Sequence, residues 1–298
     1  MKVLITGSSG LIGTALIKKL TESGHDVAGL LRTRHDEDHP FWDIEKGVVD
    51  LGSFGAPDVV INFAGENLID SRWSNAKKDR ILNSRVKATR LLVDYLLKAE
   101  HKPTLLISGS AIGFYGNRGD EILDENSPPG TNFSAQLCQQ WEAAAEPAKQ
   151  AGIRVVNSRT GIVLSSTGGA LKKMLLPFKL GLGGVLGKGG QYISWVCIDD
   201  MVAMIEFIML HDTVSGPVNM VSPEAVTNYQ LTKALGKVLH RPTVFPMPAF
   251  VAGILFGEMA DELLLSSARV KPAKMLAAGY QFQYAELSAA LEHVLKNK

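Results

Sequence analysis

Gly7, Gly10 and Gly13 recur at intervals of three directly after the apolar run Lys2-Val3-Leu4-Ile5-Thr6. Glycines so placed let a backbone wrap an anion. Gly7 allows a tight exit from a strand, Gly10 has no side chain to hold the backbone off a pyrophosphate, and Gly13 lets a helix lie close to the strand. The anion would rest on Leu11, Ile12 and Gly13 at the helix N-terminus, where unpaired N–H groups and the helix dipole both favour negative charge. Such a cradle works only if a strand and a helix hold it. From Leu11 the apolar positions Ile12, Ala15, Leu16 and Leu20 fall at helical spacing, with Lys18, Lys19 and Glu22 on the other face. Gly24 stops the helix and Val27-Ala28-Gly29-Leu30-Leu31 reads as a second buried strand. The result is a βαβ unit of about 30 residues, the context a dinucleotide fingerprint requires.

The end of that second strand discriminates between dinucleotides. A site for NAD places Asp or Glu there to accept from the ribose hydroxyls, whereas this chain continues Leu31-Arg32-Thr33-Arg34. A carboxylate would repel a 2′-phosphate and Arg32 would bind it, so NADP(H) is the expected cofactor. Further on, residues 58–65 read as a buried strand ending in a small-residue turn. Ligands of doubly wound sheets sit at the carboxyl ends of strands, which puts Phe63, Ala64, Gly65 and Glu66 beside the cofactor.

Composition fits this picture and excludes others. With 46% hydrophobic and 20% charged residues the chain has ample material for a core, and a net charge of +1 with scattered Lys and Arg leaves no footprint for nucleic acid. The isolated Cys138 and Cys197 suggest neither a disulfide framework nor a metal site. The chain enters a strand at once, with no signal-like segment, and holds no apolar run of membrane-spanning length. A cytoplasmic protein with a small-molecule substrate is expected, with no membrane or nucleic-acid partner and an oligomeric state left open.

The remaining sequence alternates strand and helix. The possible strand Phe41-Trp42-Asp43, a long helix over 74–99 and strands over 104–108 and 153–159 bracketing a helix over 132–150 argue for a parallel sheet covered on both faces. After Thr160 the pattern loosens. A helix from Gly168 is expected to break at Pro177, and further helices are expected at 201–209, 227–239, around 250–256 and at 287–295. The predicted architecture is a Rossmann-type doubly wound parallel sheet over 1–160, with a smaller mixed α/β substrate-side lobe over 161–298 that includes a C-terminal helical segment at 252–294.

The spacing Gly7-x-x-Gly10-x-x-Gly13 resembles the short-chain dehydrogenase/reductase superfamily. Together with Asn62-Phe63-Ala64-Gly65-Glu66, Ser84-Arg85, Ser108-Gly109-Ser110-Ala111, Trp141-Glu142, Arg159-Thr160-Gly161, Ile198-Asp199-Asp200 and Asn219-Met220-Val221-Ser222-Pro223, it makes the chain similar to the NAD-dependent epimerase/dehydratase superfamily. The closer resemblance is to an atypical branch of "epimerase family" proteins with a C-terminal domain of unknown function. The resemblance implies NADP(H) held by the glycine turn, Arg32, Phe63, Ala64, Arg80, Arg85 and the backbone near Val163.

It also implies a catalytic set that this chain does not fully carry. Ser110 fits the serine that polarises the reacting oxygen. The usual Tyr-x-x-x-Lys pair is replaced by Ser134 and Cys138, and neither can do that work, since a serine has no accessible pKa without a base and a thiol carries no positive charge. The one literal match, Tyr229 with Lys233, falls on a later helix remote from the nicotinamide. Tyr115 is the best-placed titratable group, either as acid/base or as a pocket wall. Two functions stay open: an NADP(H)-dependent oxidoreductase or epimerase, and an NADPH-binding protein without turnover.

Overall fold

The structure, a computed structural model, describes residues 1–34 and 36–296. Six strands, β1 (Lys2–Thr6), β2 (Asp26–Leu30), β3 (Val59–Asn62), β4 (Leu105–Ala111), β5 (Arg154–Thr160) and β6 (Gly216–Met220), form one sheet. All its pairings are parallel, in the order β2-β1-β3-β4-β5-β6. Successive side chains on a strand point to opposite faces, and the sequence uses both. Val3 and Ile5 of β1 pack with Leu16 of helix α1 (Leu11–Glu22) and, from further along the chain, Met201 and Ile205. Leu4, between them, packs with Leu92 and Leu96 of helix α2 (Asn75–Lys98). Burial on both faces explains why the strands read as continuous apolar runs.

Chain order reverses at β1, which has β2 on one side and β3 on the other, and the crevice at such a point is where α/β sheets bind ligands. Ser74 caps α2 by accepting from the N–H of Lys77, and Asn132 caps helix α3 (Phe133–Ala145) by accepting from Ala135.

The structure departs from the expected division at residue 160. Helix α5 (Ile198–Leu210) follows helix α4 (Gly169–Lys179) and supplies Met201 and Ile205 to the central core. Strand β6 pairs with β5 along its full length. An unpaired β5 would leave a row of backbone groups exposed at the sheet edge, so the fold takes a strand from well beyond residue 160. Phe41–Asp43 also differs. It pairs antiparallel with Val48–Asp50 and meets the sheet through a single bridge to Leu31, while Trp42 is buried. Pro177 does not end α4, which runs two residues further; with no N–H to give, it leaves the Lys173 carbonyl without its usual donor one turn back.

Helix α4 shares a second core with helix α6 (Asn228–Leu239) and helix α8 (Leu287–Lys296), and the all-apolar helix α7 (Ala249–Phe256) lies between α6 and α8 in the chain. Among the described residues no helix is long and apolar enough to cross a membrane.

Candidate cofactor and catalytic site

The glycine turn has the geometry that its spacing implies. Gly7 sits at φ +67°, and a methyl there would stand 2.6 Å from the Phe63 carbonyl oxygen, so the turn brings the ends of β1 and β3 together. A methyl on Gly13 would overlap the Gly7 carbonyl. At the α1 N-terminus the N-cap is Gly10, with no side-chain cap and no acidic residue in the first turn. The opening N–H groups of Leu11, Ile12 and Gly13 therefore have no acceptor from a capping side chain, in contrast to α2 and α3, and the cradle suits an anionic pyrophosphate. Val163 reaches the same place from the far side: the glycines that begin α4 abut Leu11, and a methyl on Gly169 would stand 3.6 Å from the Val163 carbonyl. Gly13→Ala is expected to force the turn apart and lower stability by about 1–3 kcal/mol, as overpacking does. The check is a lower urea midpoint at unchanged slope.

Arg32 is exposed just past β2, and among the described residues no hydrogen bond or ion pair occupies its guanidinium. Neighbouring Arg34 is taken up by Asp50 at 2.6 Å. Of the two arginines, Arg32 is the one left to meet an added phosphate.

Beyond β3 the loop is tied down by polar contacts. The Thr6 hydroxyl donates to Asn62 Oδ1 at 2.7 Å and accepts from the N–H of Ala64, while Asn62 Nδ2 and Trp141 Nε1 both donate to the Thr89 hydroxyl. Glu66 accepts from Lys77 Nζ at 2.7 Å and Arg80 Nε at 3.3 Å. Lys77 foremost holds the Glu66 carboxyl below the usual carboxylate range. Arg85 is buried under the turn, donating to the carbonyls of Glu66 and Ile81 with its guanidinium over the Trp141 ring. Burial lowers its pKa to about 10. A methyl on Gly65 would stand 2.9 Å from that guanidinium carbon. Arg85 thus shapes the loop that carries Gly65 and Glu66, and Arg80 remains on its surface.

Ser110, Arg159 and Asn219 are register partners across β4, β5 and β6. The Ser110 hydroxyl donates to Glu142 Oε1 at 2.7 Å. Arg159 grips the same carboxylate with two hydrogen bonds, Nε to Oε1 at 2.8 Å and Nη2 to Oε2 at 2.9 Å. Burial works against the Arg159 charge, but the hydrogen bonds and attraction of Glu142 outweigh it and raise the pKa. The guanidinium also lies over the Phe114 ring at 3.4 Å and donates to the Tyr115 hydroxyl at 3.1 Å.

Tyr115 packs inside the fold with its hydroxyl turned away from solvent. It is fully buried, its hydroxyl donates to Asn219 Oδ1 at 2.7 Å, and burial pushes its pKa up to about 12. Ser134 and Cys138 lie one turn apart on α3 and form no working pair: the buried Cys138 thiol donates to the Ala111 carbonyl, and its pKa is pushed up to about 11. Tyr229 and Lys233 stand on α6 with the amine bonded to Thr243, outside the central sheet. Sequence reasoning used Glu142 and Arg159 as landmarks without giving them roles. The available signal was their coincidence, a carboxylate one turn past Cys138 and an arginine in strand register with Ser110. Glu262 carried no such signal. From a π-helical turn at Ala260–Leu264 its carboxylate accepts from the N–H groups of Phe133 and Ser134 and from Asn132 Nδ2, which places negative charge on the N-terminus of α3.

Residues 3–221 match the family described as NAD dependent epimerase/dehydratase, and residues 247–294 match a domain of unknown function, DUF1731. An epimerase family protein of Mycobacterium bovis is 41% identical over 97% of this chain and 96% of its own length. The human epimerase family protein SDR39U1 is 35% identical over 99% and 100%. A crystal structure of that human protein with NADPH superposes with a TM-score of 0.93 over the whole of both chains at 34% identity. A UDP-glucose 4-epimerase from Thermus thermophilus, at 17% identity over 99% and 98% of the two chains and a TM-score of 0.74, shares the fold. The chain belongs to the NAD dependent epimerase/dehydratase family.

Proposed function

We propose that the chain is an NADP(H)-dependent oxidoreductase or epimerase of the short-chain type, acting on a small carbonyl or hydroxyl substrate such as a nucleotide sugar. The observation that carries this reading is the Ser110–Glu142 hydrogen bond of 2.7 Å at the carboxyl end of β4. Support for the cofactor comes from the uncapped α1 N-terminus, from Arg32, which has no partner among the described residues, and from the NADPH bound by human SDR39U1. A nicotinamide, when bound, supplies or withdraws a hydride at C4, and the remaining tasks fall to side chains. Ser110 Oγ, which donates to Glu142, keeps lone pairs to accept from a substrate hydroxyl, so a proton leaving the substrate has a path toward the carboxylate. In the reverse direction the same hydroxyl polarises a carbonyl. Arg159 fixes the orientation of Glu142, and Tyr115 and Asn219 fix Arg159.

The test is a fluorescence titration with NADPH and NADH, followed by a screen of carbonyl and nucleotide-sugar substrates. NADPH should bind selectively. Arg32→Ala should weaken NADPH about 10–100-fold, the worth of hydrogen bonds to a charged group, while NADH changes little. Equal weakening of both would remove Arg32 from the phosphate site, and no binding of either would overturn the proposal.

One observation favours a second reading, an NADPH-binding protein without turnover: Ser134 and Cys138 stand in place of the usual pair, and Tyr115 is locked away. Such a protein would bind NADPH with no turnover of any substrate screened.

A further inference from the structure

Cys197, Asp199 and His293 meet where the start of α5 touches the C-terminal helix α8. Among the described residues they are the one group of three such side chains whose ligand atoms all lie within 4.8 Å of one another. Asp199 Oδ2 is the hub, 3.4 Å from Cys197 Sγ and 3.0 Å from His293 Nε2. In a tetrahedral site with Zn–S of about 2.3 Å and Zn–N and Zn–O of about 2.0–2.1 Å, neighbouring ligand atoms stand about 3.3–3.6 Å apart. The two separations from Asp199 Oδ2 fall in this range or slightly below it, and Cys197 Sγ and His293 Nε2 lie within 4.8 Å of each other.

The surroundings fit a metal as well. Nε2 faces the Asp199 carboxylate, and the other imidazole nitrogen, Nδ1, lies 2.9 Å from the Tyr284 hydroxyl; metal binding at Nε2 requires the ring proton to sit on Nδ1, where the hydroxyl can accept it, the outer contact that metal-bound histidines make. Asp200, next to the hub, is fully engaged: it accepts from the Tyr280 hydroxyl and from the N–H groups of Gln283 and Tyr284. That leaves Asp199, with its side chain 45% exposed, as the open door to the site. Cys197 is buried on the opposite side.

We propose that Cys197 Sγ, Asp199 Oδ2 and His293 Nε2 form a zinc site, completed by water on the exposed side, that clips the C-terminal segment to the body of the fold. Sulfur, nitrogen and oxygen together are a zinc donor set. Binding displaces the thiol proton to solvent, and the charges of Zn²⁺, a thiolate and a carboxylate then sum to zero beside a neutral imidazole. His293 lies 94 residues beyond Asp199 in sequence, which hides the site from any spacing motif.

The experiment uses the full chain stripped with a chelator and titrated with Zn²⁺ and, separately, Co²⁺. Expected are one equivalent of Zn²⁺ per chain, a Tm raised by several degrees, and a cobalt spectrum with a thiolate charge-transfer band. Cys197→Ser should abolish that band. Asp199→Asn, at a partly exposed position, should weaken binding in a chain that still folds, and Tyr284→Phe should weaken it about 10–100-fold. No stoichiometric zinc binding, a cobalt spectrum without the thiolate band, or affinity unchanged in Asp199→Asn would overturn the proposal.

Discussion

Replacing Glu142 by alanine is expected to lower stability by about 3–5 kcal/mol, because it strips the partner from a buried charge. The Arg159 side chain is 4% exposed and that of Glu142 12%, so water cannot replace the carboxylate cheaply. The guanidinium would keep the Tyr115 hydroxyl and ring, the Glu125 carbonyl and the Phe114 ring, none of them charged. Urea unfolding measures the loss as a fall in midpoint. With the charge gone from both sides, as in Glu142→Leu with Arg159→Met, much of the stability should return, because well-packed apolar groups often match a buried ion pair. A double variant as unstable as Glu142→Ala alone would show that the pair is not the source of the effect.

Ser110→Ala is expected to reduce kcat about 10²–10³-fold on any substrate the chain turns over, the cost of removing one hydrogen-bond donor from a reacting oxygen. Stability should hardly move, because Glu142 Oε1 keeps its 2.8 Å bond to Arg159. NADPH affinity should also stay close to that of the parent, since the change leaves the glycine turn and Arg32 intact. Steady-state kinetics beside a binding titration separates these readouts. An unchanged kcat would place the chemistry elsewhere than Ser110.

The cofactor half of the site was legible because it is local. Gly7, Gly10 and Gly13 lie within one βαβ unit, and each has a backbone role that residue type alone announces. The helix bounded by Ser74 and Ala99 was legible for a similar reason, since cap and periodicity agree. The polar cluster around Ser110 was not. Glu142, Arg159, Asn219 and Glu262 come from four separated elements, and what joins them is strand register and helix packing. The edge strand β6 was hidden likewise: nothing local to Gly216–Met220 says that it closes the sheet beside β5. Tyr115 misled because its position after Ser110 is correct while its hydroxyl turns inward to Asn219.

The reach of Glu262 onto the first turn of α3 has a consequence for how the molecule comes apart. α3 carries Glu142, and its N-terminal donors are satisfied from a segment more than 110 residues later in the chain. Removing the C-terminal segment would therefore not trim an accessory; it would unseat the helix that delivers the carboxylate to Ser110. Opening of that segment would withdraw the acceptor from the first turn of α3, so conditions that loosen the tail alone are expected to disturb the Ser110–Glu142 contact while the central sheet stays folded.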